Sequence, residues 1–251
     1  MIAQPKLALQ VRRRRFYILG SIIVAAALMI RTLPADPVGV SADRILAGLE
    51  GENNRRNVLL KEYSVSRQYT LENFRFGKQA AVTMLMSYRQ AGGESYTVLT
   101  RSGSESLNGI IDQILASEAS ASLPLEKARH EITAANYRAR LLGTEAVAGR
   151  TCYILELTPK SKNRLLIVGK VWVDTGSYAM VRVEGQFAAS MSMLLGAPHI
   201  SEDFVEVNGF SLPGRVRSVT STFLLGRTVL EILYSNYQLD REPLSQPDRN
   251  P

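Results

Sequence analysis

The 251-residue sequence predicts an α+β fold dominated by antiparallel strands, one large sheet with a few helices on one face. Three observations point there. Apolar residues alternate at period two through most of the chain, the spacing of strands with one buried face. Two stretches, around Asp43–Leu59 and Leu107–Ile132, instead carry apolar residues at helical spacing. Glycine- and asparagine-rich turns separate the alternating runs, as hairpins require.

The first 35 residues stand apart. They hold six of the 30 basic residues and none of the 23 acidic ones, so the formal charge of +7 belongs to this leader and the remainder is close to neutral. A nucleic-acid surface therefore has no support from charge, and no nucleic-acid partner is expected. Arg12–Arg15 precede an apolar stretch, Phe16–Ile30, and then a proline-containing polar region. This is the layout of a secretory signal peptide. Fifteen residues are short for a membrane span, which takes about 20. Length favours cleavage after Ala35 or Ala42, while Arg31 leaves open an uncleaved anchor in the inner membrane. Either way the body, residues 36–240, is expected in the periplasm, followed by a disordered tail at 241–251.

Ser41 suits the N-cap of a first helix with Ile45, Leu46, Leu49, Val58 and Leu59 on one side. Gly48, Gly51 and Asn53-Asn54 predict a break or bend in its middle. Three strands follow. Tyr63, Val65, Tyr69 and Leu71 alternate, with Arg67 the exception; Val82, Met84, Met86 and Tyr88 alternate next; Gly92-Gly93 then turns into Tyr96–Leu99. A helical insertion over about 104–135 comes next. It comprises one helix with Leu107, Ile110, Ile111, Ile114 and Leu115 as its stripe, and a second opened by Pro124 with Leu125, Ala128 and Ile132 inward. About seven strands complete the chain, with Pro198, Pro213 and Pro243 expected between strands. Among them is the hairpin Gly169–Phe187. Val171 and Val173 share a face in its first arm, Ala179, Val181 and Val183 in its second, and Thr175-Gly176-Ser177 forms the turn.

Motifs of catalysis are missing. His130-Glu131 begins a zinc-protease pattern, but Ala134 stands where the second histidine belongs. His130 reads as a helix-surface residue and His199 as a loop residue. No nucleophile elbow, phosphate loop or dinucleotide fingerprint occurs. Cys152, the one cysteine, lies in a strand pattern and reads as a packed small hydrophobe. No enzyme activity, catalytic residue, metal or cofactor is expected.

Several phrases resemble the periplasmic outer-membrane lipoprotein carrier and sorting proteins, the LolA-like superfamily. They are the helix Asp43–Leu49 after the signal, the paired helices between two strand blocks, Gly149–Lys160, Gly169–Asp174 and Asn208–Pro213. The resemblance implies a curved sheet, an unclosed β-barrel of about ten strands, with helices covering the concave face. It also implies a non-enzymatic carrier that holds the acyl chains of a lipid or lipoprotein between sheet and lid. Alternation then assigns the lipid-facing sheet residues as Val82, Met84, Met86, Tyr153, Leu155, Leu157, Val171, Val173, Val181, Val183, Leu230 and Ile232. Leu107, Ile110, Ile111, Ile114 and Leu115 make the lid. The alternatives are an envelope-stress sensor or regulatory module that binds an envelope membrane protein, and an assembly protein with a filled core.

Overall fold

The computed structural model describes residues 39–163, 165–188, 198–223 and 226–241. The leader, Leu225, Pro243 and the tail beyond residue 241 lie outside the described residues, and the readings placed on them are carried no further. Among the described residues no helix is long and apolar enough to cross a membrane.

Helix α1, Ala42–Leu59, begins where Ser41 Oγ accepts a hydrogen bond from the Arg44 amide at 3.2 Å. The break expected near its glycines does not occur. Ile45, Leu46, Leu49 and Asn53 form a buried stripe that holds the helix to the sheet through the weak stretch. Gly48 answers to packing: a Cβ there would lie 2.5 Å from the Tyr178 ring.

Ten strands follow in one sheet. Three precede the helical insertion, β1 (Leu60–Asn73), β2 (Lys78–Arg89) and β3 (Gly93–Gly103). Seven follow it: β4 (Tyr137–Val147), β5 (Arg150–Pro159), β6 (Ile167–Asp174), β7 (Met180–Phe187), β8 (His199–Val207), β9 (Phe210–Thr222) and β10 (Gly226–Arg241). Their order is β3-β2-β1-β10-β9-β8-β7-β6-β5-β4, and every pairing is antiparallel. Pairing of β10 with β1 joins two meanders, while β3 and β4 remain as edges, so the sheet does not close. The insertion runs from one edge strand to the other and must cross the open side of the sheet.

That insertion comprises α2, Glu105–Ala121, and α3, Pro124–Ala128. The first is longer than its apolar stripe, because small residues from Ala116 onward continue the helix. The second is much shorter than expected, and Leu125 is 80% exposed. Asn136 explains the early stop: its side-chain amide donates to the carbonyls of Ala128 and Glu131, groups a longer helix would have used itself. His130 falls in the following turn, with Nδ1 2.8 Å from the Glu126 carbonyl. His199 opens β8 and is not a loop residue.

Two irregularities shift side chains relative to simple alternation. Val173 pairs with Met180 and Trp172 with Arg182, so Val181 is the extra residue of a β-bulge. Val181 therefore packs with Val147, Cys152 and Trp172 on the face opposite Val171 and Val173. Pro213 lies inside β9, opposite Phe204, where a second register shift accommodates it.

Candidate functional site

Two apolar cores form beneath the two long helices. Under α1, Ile45, Leu46 and Leu49 meet Tyr137, Leu155, Leu157, Leu166, Val171, Val173 and Val183, with Tyr153 packed at the margin. Under α2, Leu107, Ile111 and Leu115 meet Tyr69, Leu71, Ala80, Val82, Met84 and Ile232, flanked by Ile114 and Leu230. Ile110 turns outward and is 42% exposed. Most of the sheet residues assigned to a lipid are thus sealed by these helices; Met86 is buried as well. Val181 lies on the opposite face, and Ile232, part of the core under α2, also reaches an open space.

That space is a cavity of about 460 Å³ between the two cores, over the inner faces of β8 and β9. The helices that roof the cores turn their C-terminal parts toward it, through Arg56 and Asn57 of α1 and Glu118 and Ala121 of α2. Its apolar wall includes Leu165, Ile167, Met180, Phe187, Ile200 and Phe204. Its polar wall includes Arg67, Glu94, Glu118, Lys127, His130 and Glu202, with Tyr63, Tyr88 and Tyr234 between. One ligand could meet hydrocarbon on one side and charge on the other.

Arg67 organises the polar wall. Its guanidinium bonds Glu94 Oε1 at 2.9 Å and Glu118 Oε2 at 3.1 Å, reaches the Tyr69 hydroxyl at 3.3 Å and lies 5.0 Å from the Tyr234 ring centroid. Tyr69 in turn donates to Glu118 at 2.6 Å. One buried side chain on β1 thereby ties β3 and α2 together. Burial alone would lower the pKa of Arg67; Tyr234, Glu94, Tyr69 and Glu118 outweigh it and hold the group charged. Burial pushes the Glu118 carboxyl above its usual range, against the pull of Arg67 and the Tyr69 hydroxyl.

Two further groups complete the wall. Lys127 donates to Asn57 Oδ1 at 3.0 Å and to the Tyr88 hydroxyl at 3.4 Å, and burial followed by the Arg56 charge lowers its pKa. Glu202 projects into the cavity between Ile200 and Phe204. Burial first, and repulsion from Glu118 second, push its pKa up to about 7, while Arg67 and Arg56 pull the other way. Among the described residues no three His, Cys, Asp or Glu side chains stand close enough to hold a metal ion.

Alternation found the cores but missed the polar wall. Arg67 was visible as the charged exception in an otherwise alternating strand. Glu202 occupies the same face as Ile200 and Phe204, a carboxylate interrupting an apolar row in the same manner.

No curated protein matches the chain. Solved structures align over most of it, at low identity. A LolA superfamily protein from Nitrosomonas europaea shares 14% identity, covers 82% of this chain and 96% of its own, and has a TM-score of 0.41. A putative outer membrane lipoprotein-sorting protein domain from Vibrio parahaemolyticus shares 12%, with coverage of 80% and 93% and a TM-score of 0.43. MucB in its complex with MucA from Pseudomonas aeruginosa shares 13%, with coverage of 77% and 93% and a TM-score of 0.28. Residues 82–186, from β2 through β7, match the family model of the MucB/RseB N-terminal domain, so the chain resembles that family in its central part.

Proposed function

We propose that the protein is a non-enzymatic periplasmic binding protein for an acyl-chain amphiphile, a lipid or a lipoprotein's lipid moiety. The cavity between the two cores carries this reading. Its volume, about 460 Å³, falls in the range of small-ligand sites, roughly 300–1,000 Å³. Hydrocarbon would lie against Ile167, Met180, Phe187 and Ile200, each buried methylene contributing about 0.8 kcal/mol. The head group would meet Arg56, Arg67 and Lys127. This places the guest elsewhere than alternation assigned it, beside the helix-covered residues and not on them.

The test is binding of a fluorescent fatty-acyl probe to the full chain and to Ile200→Trp, which fills the cavity from its apolar wall. Ile110→Trp, on the exposed flank of α2, is the control. Saturable binding, lost by tenfold or more in Ile200→Trp and kept in Ile110→Trp, is expected. Absence of binding to the parent chain, or equal binding by all three, would overturn the reading.

A second reading, a regulatory module that binds a membrane-anchored partner protein, is favoured by the match to the MucB/RseB domain. The charges in the cavity also suit a peptide better than they suit a bare acyl chain. A chain that takes no probe yet holds an envelope protein would establish it.

A further inference from the structure

At one end of the sheet the β1–β2 turn lies beside the end of β9 and the start of β10. Phe74–Gly77 joins β1 to β2, Phe223 follows the end of β9, and Arg227 and Thr228 lie at the start of β10. The Phe74 amide donates to the Arg227 carbonyl at 3.0 Å, and the Asn73 side chain donates to Thr228 Oγ1 at 2.7 Å. Arg75 donates to the Phe223 carbonyl, and the Phe76 amide to Asn73 Oδ1 at 3.0 Å. The β1–β2 turn is thus fastened to Phe223 and to β10 by backbone and side chain together. Such bracing would suit a core, yet it supports three phenylalanines in solvent: Phe74 is 51% exposed, Phe76 55% and Phe223 91%. Large aromatic side chains held outward by a rigid support mark a contact surface.

Charge selects the partner. Arg75, Lys78 and Arg227 are exposed around the aromatics, and residues 73–79 and 221–228 contain no acidic residue. Arg227 sits 5.2 Å from the Phe74 ring centroid and Arg75 6.0 Å from that of Phe76. Guanidinium beside aromatic is the chemistry of a bilayer interface: the ring enters the head-group boundary while the cation stays at phosphate level. A protein pocket would have to swallow the cations together with the rings. We propose that this tip, the β1–β2 turn with Phe223 and Arg227, docks on the surface of an anionic phospholipid bilayer. The inference does not depend on what occupies the cavity, whose walls lie elsewhere in the sheet.

The test reads the tip alone, because other parts of the full chain can also meet lipid. Phe76→Trp places an indole there. The native Trp172 is buried and bonded to Glu145, which leaves it as constant background. Val205→Trp puts the same probe about 30 Å away, the length of β9 between Leu212 and Thr222. The full-length variants are mixed with vesicles of phosphatidylglycerol or phosphatidylcholine bearing brominated acyl chains. We expect the tip indole of Phe76→Trp to be quenched by brominated phosphatidylglycerol and little by phosphatidylcholine. The distant indole of Val205→Trp should be quenched by neither. Adding Lys78→Gln to Phe76→Trp should weaken the phosphatidylglycerol effect roughly fivefold, the value of one cation near an anionic surface. An unquenched tip indole, equal quenching of the distant one, or equal response to both lipids would overturn the proposal. So would an emission shift of the tip indole given by an acidic polypeptide and not by vesicles.

Discussion

Arg67 shows what a single charge in an apolar row does. Its side chain is nearly sealed, 6% exposed, and it links three elements because a guanidinium brought out of water needs carboxylates around it. Arg67→Met keeps the volume but strands Glu94 and Glu118. A loss of about 3 kcal/mol is expected, the low end for breaking a buried pair, because Glu118 keeps some access to water. Urea unfolding measures it, and Arg67→Met with Glu118→Gln should recover part of the loss. Glu202 is the opposite case, a carboxylate without a salt bridge among the described residues. Its folded pKa, about 7, lies above its usual 4.5, so between these values the folded state holds a proton that the unfolded state has released. Stability therefore falls as pH rises from 4.5 to 7, and the whole penalty is present above 7. Glu202→Gln should stabilise the protein at pH 8 by roughly 2–3 kcal/mol and leave it unchanged at pH 4.

At the scale of elements, α1 shows why propensity and packing must be weighed together. Gly48→Ala should gain about 1 kcal/mol of helix propensity. It would also press a methyl into Tyr178, whose ring lies beside Tyr153 and whose backbone sits at φ +58° after a turn pinned by Asp174 Oδ1. Overpacking of this kind costs about 1–3 kcal/mol, so a net loss of about 1 kcal/mol is expected, a Tm fall of about 2–4 °C by calorimetry. Number, type and order of elements were legible because alternation and helical spacing report which residues share a face. What escaped depended on partners distant in sequence. The α1 glycine answers to a turn in the β6–β7 hairpin, α3 ends on the Asn136 amide, and the Val181 bulge changes a face without changing composition. The cavity escaped for the same reason. Alternation finds apolar residues that face inward, and here those residues fill two cores while the cavity opens between them. Its best sequence marks were the charged exceptions to alternation, Arg67 and Glu202.

For the molecule as a whole, a guest in the cavity, as proposed, would make ligand binding and proton binding one equilibrium. The groups around Glu202 are Glu118 from α2, Arg67 from β1, Arg56 from α1 and Asp203 from β8 itself. An acyl chain laid along Ile200 and Phe204 would displace the water that still reaches Glu202. That favours the neutral acid further, so binding takes up a proton when the pH is above the free carboxyl's pKa of about 7. Linkage then requires affinity to fall as pH rises through 7, by up to about tenfold per pH unit for one proton. Below pH 6 the acid is already protonated and the dependence should vanish. A phospholipid probe, whose phosphodiester does not titrate in this range, separates the protein's proton from the ligand's. Titrations at pH 6, 7 and 8 should show weakening affinity for the parent chain and a flat profile for Glu202→Gln. A ligand at a hundred times its Kd adds about 2.7 kcal/mol to the folded state, so the same trend should appear as a ligand-induced Tm rise that shrinks toward pH 8. A parent chain whose affinity is level from pH 6 to 8 would mean that the acyl chain does not pass Glu202 and lies elsewhere in the cavity.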